Sequence, residues 1–166
     1  MFRNILFFLL TLIINKIYSQ KINQEYKIHP KKINEKIKID GKINENVWKE
    51  ADVAKNFFMI TPTDGKKAQQ QSEVRILYDE KYIYFGIVFF NNSIQGNYAV
   101  ESLRRDFSFN KNDNLLIAID PFNNQTTGFT FGLNAYGAQW DGTMYDGGRV
   151  DLNWDTKWVS EVTFDK

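Results

Sequence analysis

Two consecutive segments with strong strand character lie in the middle of the chain and constrain its fold most. Glu73 to Tyr78 reads EVRILY, Tyr82 to Phe90 reads YIYFGIVFF, and Asp79-Glu80-Lys81 joins them. Aromatic and β-branched residues favour strands, and a short polar connection between two such runs predicts an antiparallel hairpin. The second run is apolar on both faces, which predicts a central strand. Gly86 in this run predicts a bulge or a close approach by another part of the chain.

Similar strand signals recur along the rest of the sequence. Further strands are predicted at Leu115 to Ile119, Phe129 to Leu133, Ala138 to Asp141 and Trp158 to Phe164, and a single helical turn at Ala99 to Leu103. Aromatic residues make up 16% of the chain. No internal repeat and no long helical pattern is present, so short strands separated by turn residues predict an all-β fold, an antiparallel β-sandwich with one or two short helices.

The folded part is predicted to begin with a short strand and a helical turn. Residues from Ile33 to Ile39 alternate between apolar and polar, which indicates a half-buried strand, and Asp40-Gly41 supplies turn chemistry after it. A short helix is predicted over Glu45 to Ala51, with Trp48 and Ala51 on one face. Because so short a helix is stable only when it is packed against something, Trp48 is predicted to be a core residue.

The first 19 residues follow the order of a secretory signal peptide. A positive charge at Arg3 precedes an apolar run from Ile5 to Ile14, and a polar stretch ends at Ser19, where cleavage is predicted. A membrane-spanning helix needs about 20 apolar residues. The run is shorter, so we expect an exported mature chain without a transmembrane helix.

Residues 20–35 are polar and rich in lysine, which predicts a linker. Residues 36–166 then form one domain. Its last predicted strand, Trp158 to Phe164, would end as an unpaired edge. We therefore expect the domain to continue in a longer protein.

Charge and cysteine content exclude some classes of protein. The net charge is +1, and loss of Arg3 and Lys16 with the signal peptide would make it −1, which argues against a nucleic-acid binder. The chain has no cysteine, so core burial must hold it together without disulfides. Ten acidic residues against six basic ones from Glu101 onward favour a hard cation or a polar ligand over phosphate.

Three segments resemble landmarks of the family 9 carbohydrate-binding modules. The first, IKIDGKINENVWKEA (37–51), resembles the opening of that family, which has a strand, an Asp-Gly pair and a Trp. The second, VRILYDEKYIYFGIVFF (74–90), resembles its pair of strands joined after an aromatic-Asp step. The third, DNLLIAID (113–120), resembles its Asp-led strand. Arg-Arg-Asp at 104–106, LNAYGAQWDG (133–142) and Asn-Trp-Asp at 153–155 are similar to one branch of the family. In that branch the module begins large exported proteins of Gram-negative bacteria, whose C-terminal part resembles an outer-membrane barrel.

The resemblance implies a jelly-roll-like β-sandwich, supported by calcium, that binds an oligo- or polysaccharide in the periplasm or at the outer membrane and cell surface. In sugar-binding members two tryptophans clamp a terminal sugar, whose C–H face stacks on a flat apolar ring. One of them precedes the position of Asp113, where this chain offers phenylalanines, and the other has no counterpart in the sequence. The predicted ligand-binding residues are Phe107, Phe109, Trp140 and Trp154, whereas Trp158 is predicted to be core or half-core.

Aspartates supply the predicted calcium ligands. Calcium takes about six to eight oxygen ligands from flexible loops, and the glycine-containing stretch from Asp141 to Asp155 offers four carboxylates. Two more frame the strand predicted at Leu115 to Ile119. The candidates are Asp113, Asp120, Asp141, Asp146, Asp151 and Asp155. Solvated turn residues, or caps for loop amides, are an equally supported interpretation.

Three functions stay open. The first is a non-catalytic carbohydrate-binding module of an exported protein that acts in polysaccharide binding or catabolism. The second is a structural N-terminal domain that packs on an outer-membrane barrel without sugar affinity. The third is a fragment of a glycoside hydrolase, which needs two carboxylates about 5–10 Å apart. No motif pairs an aspartate with a proton-donating glutamate here, so hydrolysis of O-glycosyl bonds is expected, if anywhere, in another part of a longer protein.

Overall fold

The computed structural model describes residues 26–91 and 97–164, so the predicted signal peptide lies outside the described residues. No helix among the described residues has the length and apolar character needed to cross a bilayer. The helical elements are α1 (Asn46–Lys49) and a 3₁₀ turn (Phe109–Lys111). The strands are β1 (Lys31–Lys32), β2 (Ser72–Tyr78), β3 (Ile83–Phe89), β4 (Asn114–Ile119), β5 (Gly128–Asn134), β6 (Gln139–Tyr145) and β7 (Arg149–Asp151).

The chain divides into two compact units, each with its own sheet. The first unit takes in residues up to Ile33 and Val47–Phe90, and holds a sheet in the order β1-β2-β3. The second takes in Asn34–Asn46 and the residues from Asn91 onward, and holds a sheet in the order β4-β5-β6-β7. All pairs among the described strands except β1–β2 are antiparallel. The prediction of an all-β fold with almost no helix is confirmed.

The β2–β3 hairpin is confirmed, with Ser72 opposite Phe89 and Tyr78 opposite Ile83. The Asp79 carboxylate closes its turn: Oδ1 accepts the Lys81 and Tyr82 amides at 2.7 and 2.8 Å. Oδ2 accepts the Tyr84 hydroxyl at 2.8 Å, and burial together with this hydrogen bond raises the pKa of Tyr84 to about 12.

The central position predicted for β3 is wrong. Among the described strands β3 pairs with β2 alone and forms the edge of its sheet. Ile83 and Phe89, at its two ends, are more than half exposed. Apolar residues on both faces make a strand suited to burial, but strand order depends on which segments pair, and this composition carries no information about pairing.

Trp48 forms the core of the first unit, as predicted. Its side chain is 4% exposed and is buried together with those of Val47, Ala51 and Leu77. A Cβ at Gly86 would lie 2.8 Å from Cζ3 of the Trp48 ring, so the glycine makes room for the indole. The helix that carries Trp48 is shorter than predicted, because it ends at Lys49.

The strand predicted over Ile33 to Ile39 is wrong. Pairing begins earlier, at Lys31–Lys32, which lie parallel to Leu77 and Tyr78 of β2. Ile33 is buried, and its amide donates to the Tyr78 carbonyl at 2.8 Å. The residues expected as a linker, 20–35, therefore include a short strand. The strand was missed because two lysines do not have the apolar character of a typical strand. Their backbone groups make the pairing, while their side chains form ion pairs with Glu50 and Glu80.

Two further predictions fail in the second unit. Residues 99–103 contain no helical turn, and the stretch predicted as a strand, Trp158 to Phe164, has no strand pairing among the described residues. The alternation in that stretch is nevertheless real. Trp158, Ser160 and Val162 are half-buried, whereas Val159 is 72% exposed. Alternation of apolar and polar residues indicates that one side of an extended segment is covered, but it does not predict a neighbouring strand to hydrogen-bond with.

Substitution of Gly86 tests the contact with Trp48. We expect Gly86→Ala to lower the free energy of unfolding by about 1–3 kcal/mol, because the added methyl group overpacks against the indole. Urea denaturation followed by circular dichroism measures the change. In a Trp48→Leu background the same substitution is expected to cost less than about 0.5 kcal/mol, since the clashing ring is gone. Equal costs in both backgrounds would contradict this packing.

Candidate functional site

The four-stranded sheet of the second unit presents two different faces. Residues opposite each other on neighbouring strands share a face. Phe131 is opposite both Ile117 and Asp141, and Gly132 is opposite both Leu116 and Trp140. One face therefore carries Phe131 and Asp141, and the other carries Trp140.

The face with Trp140 is a core. Phe107 is 4% exposed and Trp140 is 8% exposed, and Phe109 packs against them. The ring centres of Phe107 and Phe109 are 6.3 Å apart, and those of Phe109 and Trp140 are 5.2 Å apart. Phe107 and Trp140 were predicted as ligand-binding residues, but rings that are buried on both sides have no surface on which a sugar can stack. Phe109, half-buried at the edge of this cluster, keeps part of its surface.

The opposite face is covered by two tryptophans. Trp154 lies 4.8 Å from Phe129 and 6.1 Å from Phe131, measured between ring centres, and is half-buried. Trp158 makes an edge-to-face contact with Phe131 at 5.5 Å and is half-buried, as the sequence predicted. Both tryptophans thus pack on β5, and the half-buried Trp154 indole is only partly available to a ligand.

Arg105 links this face to the segments around it. Its Nη1 donates to Oε1 of Gln139 at 2.9 Å, and its Nη2 donates to the Thr156 carbonyl at 3.0 Å. The same Nη2 pairs with the carboxylates of Asp141 and Asp155. Asp141 is 1% exposed, and its Oδ2 accepts the Thr156 amide at 2.9 Å. A buried carboxylate is tolerated because a guanidinium and a backbone amide saturate it.

Of the remaining predicted calcium ligands, Asp113, Asp120 and Asp146 lie in loops and turns, and Asp151 ends β7. Asp146 is exposed and has φ 48 in the turn between β6 and β7. The others accept backbone amides: Asp113 from Ala99 at 2.8 Å, Asp120 from Phe122 and Gln125 at 3.0 and 2.7 Å, and Asp151 from Asn153 at 2.9 Å.

Within residues 26–91 and 97–164, no three His, Cys, Asp or Glu side chains lie close enough together to hold a metal ion. The six aspartates are therefore not gathered into such a group there, and calcium binding stays a prediction. The alternative interpretation, caps for loop amides, describes Asp113, Asp120 and Asp151.

A second aromatic cluster was not predicted from the sequence. It consists of Tyr98, Tyr136 and Phe164, here called the aromatic platform. Ring centres are 6.4 Å apart for Tyr98 and Tyr136, 5.3 Å for Tyr98 and Phe164, and 5.7 Å for Tyr136 and Phe164. Tyr136 is 53% exposed and Phe164 is 49% exposed. Tyr136 lies between Ala135 and Gly137 in the β5–β6 turn. An aromatic residue at the tip of a turn was the one feature of the sequence that could have indicated this cluster.

A buried asparagine fixes the turn that carries Tyr136. Asn134 is 1% exposed, and its Oδ1 accepts the amides of Tyr136 and Ala138 at 3.1 and 2.9 Å. Its Nδ2 donates to the Ser102 carbonyl at 2.8 Å. The Tyr136 backbone is thereby tied to the segment that begins at Tyr98.

The other two rings are anchored by backbone contacts near them. The Asp113 amide donates to the Ala99 carbonyl at 2.6 Å, while the Asp113 carboxylate accepts the Ala99 amide. The Thr163 hydroxyl donates to the Gly41 carbonyl at 2.6 Å. Gly41 has φ 75, and a Cβ there would lie 2.7 Å from Cγ2 of Thr163, so a side chain would disturb this contact.

Polar groups lie next to the platform. A surface depression with a volume of about 440 Å³ is lined by Val100, Glu101, Ser102, Leu103 and Tyr136. The Glu101 carboxylate pairs with Nζ of Lys111 at 2.8 Å, and this hydrogen bond raises the pKa of Lys111. Both side chains are about half exposed or more. One ring of the platform, Tyr136, and the polar residues Glu101 and Ser102 therefore border the same surface depression.

Residues 39–164 match the sequence model of a family described as carbohydrate family 9 binding domain-like. The chain belongs to this family. The match covers most of the chain, so the resemblance inferred from the three landmark segments is confirmed at the level of the family. Neither a curated protein nor a solved structure matches the chain.

Neutralising each carboxylate around Arg105 tests the buried pair. We expect Asp141→Asn to lower the free energy of unfolding by about 2 kcal/mol. That is less than the 3–5 kcal/mol typical of breaking a buried pair, because Arg105 is partly exposed and keeps Asp155. Asp155→Asn, at a carboxylate that is 70% exposed, is expected to cost less than about 1 kcal/mol. Guanidinium denaturation measures both variants, and equal losses would contradict the assignment of Asp141 as the buried partner.

Proposed function

We propose that this domain binds carbohydrate as a non-catalytic module of an exported protein that acts in polysaccharide binding or catabolism. The observation that carries the proposal is the match of residues 39–164 to the carbohydrate family 9 binding domain-like family. The structure supports it with exposed aromatic rings beside hydrogen-bonding groups in the second unit. A sugar ring has an apolar C–H face and a rim of hydroxyl groups. Exposed aromatic rings can stack on that face, and the neighbouring polar groups can hydrogen-bond to the hydroxyls.

Catalysis is not part of this proposal. A glycoside hydrolase needs two carboxylates that reach the substrate. Asp141 is buried, and its two oxygens are occupied by Arg105 and Thr156. Asp155 is bound to the same guanidinium. This pair is therefore a structural ion cluster, and any hydrolysis of O-glycosyl bonds is proposed for another part of a longer protein.

Export and attachment complete the proposal. The order of residues 1–19 supports a signal peptide, which would place the mature chain in the periplasm or at the outer membrane and cell surface of a Gram-negative bacterium. The segments at 104–106, 133–142 and 153–155 support the branch whose modules precede an outer-membrane-barrel-like part.

A second candidate function is a structural domain that packs on such a barrel without sugar affinity. Burial of Phe107 and Trp140 favours it, because two of the four residues predicted to contact sugar serve as core instead. In that case the exposed rings of the second unit would be covered by the partner.

Calorimetric titration of the chain with an oligosaccharide panel tests the proposal. We expect saturable binding of at least one tetrasaccharide, because the exposed rings and the nearby polar groups can contact a sugar without rearrangement of the fold. A heat-denatured sample serves as the control. If a sample that is folded by circular dichroism binds no member of a broad panel, the structural-domain function is favoured instead.

Calcium dependence is a separate prediction. Among the described residues no three His, Cys, Asp or Glu side chains are grouped to hold a metal ion, so we expect EDTA to leave the melting temperature unchanged. Differential scanning calorimetry with EDTA, with calcium and with magnesium measures this. A melting temperature that falls with EDTA and is restored by calcium alone would show a structural calcium ion.

A further inference from the structure

We infer that the sugar-binding site is the aromatic platform (Tyr98, Tyr136 and Phe164) with the Glu101–Lys111 pair at its polar edge, and that its ligand is a neutral saccharide. This inference rests on the proposed function and makes it specific. None of the residues predicted from the sequence as ligand contacts belongs to this surface.

The platform is exposed and yet held in place. Tyr136 and Phe164 each leave about half of their surface to solvent, although each ring contacts the other two rings. Behind the rings, the fully buried Asn134 fixes the Tyr136 backbone. An exposed ring that is already ordered loses little conformational entropy when a ligand stacks on it. Such an arrangement favours binding of a flat apolar face such as that of a sugar.

The polar edge can contact the hydroxyl groups of a stacked sugar. Glu101 lines the same depression as Tyr136, and its amide donates to the buried Asn112 side chain at 2.9 Å, which fixes its backbone. The carboxylate accepts hydrogen bonds from hydroxyl groups, and the Lys111 ammonium donates them. The 2.8 Å pair carries no net charge. Neutral saccharides are therefore favoured over uronic-acid polymers, which would place a carboxylate beside Glu101.

The other aromatic candidates are less suited to this role. Phe107 and Trp140 are buried, and Trp154 packs on Phe129 at a ring-centre distance of 4.8 Å. In the first unit, Tyr82 is 62% exposed and borders a depression of about 490 Å³. It provides a matched control, because Tyr82→Ala removes a tyrosine that is also more than half exposed and lies far from the platform in sequence.

The test is isothermal titration calorimetry of the full chain with maltotetraose, cellotetraose and xylotetraose, and with trigalacturonic acid as the acidic probe. We expect Tyr136→Ala to weaken binding of the best neutral probe by at least about tenfold, the loss typical of a residue that dominates an interface. Tyr136→Phe keeps the ring and is expected to lose no more than about threefold. Tyr82→Ala is expected to bind as the unmodified chain does.

The charge pair is tested by Glu101→Gln. This change leaves the Lys111 ammonium without its carboxylate, so we expect weaker binding of the neutral probe and a gain for trigalacturonic acid. A preference of the unmodified chain for trigalacturonic acid would overturn the assignment of a neutral ligand.

Failure of the site and failure of the function give different results. If the unmodified chain binds none of the probes and no member of the broad panel, the proposed function fails. If it binds, and Tyr136→Ala binds equally well, the platform is not the site while the function stands. Circular dichroism and melting temperature establish that each variant is folded, and Phe164→Ala replaces Tyr136→Ala if that variant unfolds.

Discussion

The buried carboxylate of Asp141 requires a compensating cation, and the segments around the four-stranded sheet are arranged to supply one. A charge that is 1% exposed would be prohibitively unfavourable alone. Arg105 brings the cation from a loop that precedes β4, and Thr156 adds a backbone amide from the segment after β7. Because the same guanidinium also binds Gln139, one interaction fixes where both irregular segments lie on the sheet. The positions of Trp154 and Phe107, which flank these contacts in sequence, follow from it.

The candidate site depends on a second set of polar contacts, one made by the buried Asn134 and one by the exposed Asp113. Asn134 and Asp113 hold the backbone on which two of the three platform rings are mounted. Neither contact is hydrophobic, so hydrogen bonds hold this backbone while about half of the Tyr136 side chain faces solvent. The Asp-Gly step that marks the start of the family pattern has a related role, because Gly41 receives the Thr163 hydroxyl next to Phe164. A residue pattern that identifies the family thus also supports the proposed binding surface.

Much of the fold could be predicted from the sequence, and little of the candidate site. The β2–β3 hairpin, the buried Trp48 and the strand after Asp113 were predicted because alternation and turn residues act over a few positions. The edge position of β3 and the short pairing at Lys31–Lys32 were missed, since both depend on which distant backbone is nearby. Among the site residues, Trp140 and Phe107 were predicted as contacts because aromatic type is visible in a sequence and burial is not.

The sequence by itself determined the all-β class, the family and the packing of Trp48, because each depends on patterns of residues that are close together in the sequence. It also specified that the chain is rich in aspartate and aromatic residues, the groups that bind cations and sugars. Only the tertiary structure decided how those groups are used. Asp141 and Asp155 meet a guanidinium from residue 105, which satisfies the charge that a calcium ion would otherwise neutralise. Tyr98, Tyr136 and Phe164 are far apart in sequence and form one surface because three segments meet at the end of a sheet. Which segments meet there cannot be inferred from the order of residues.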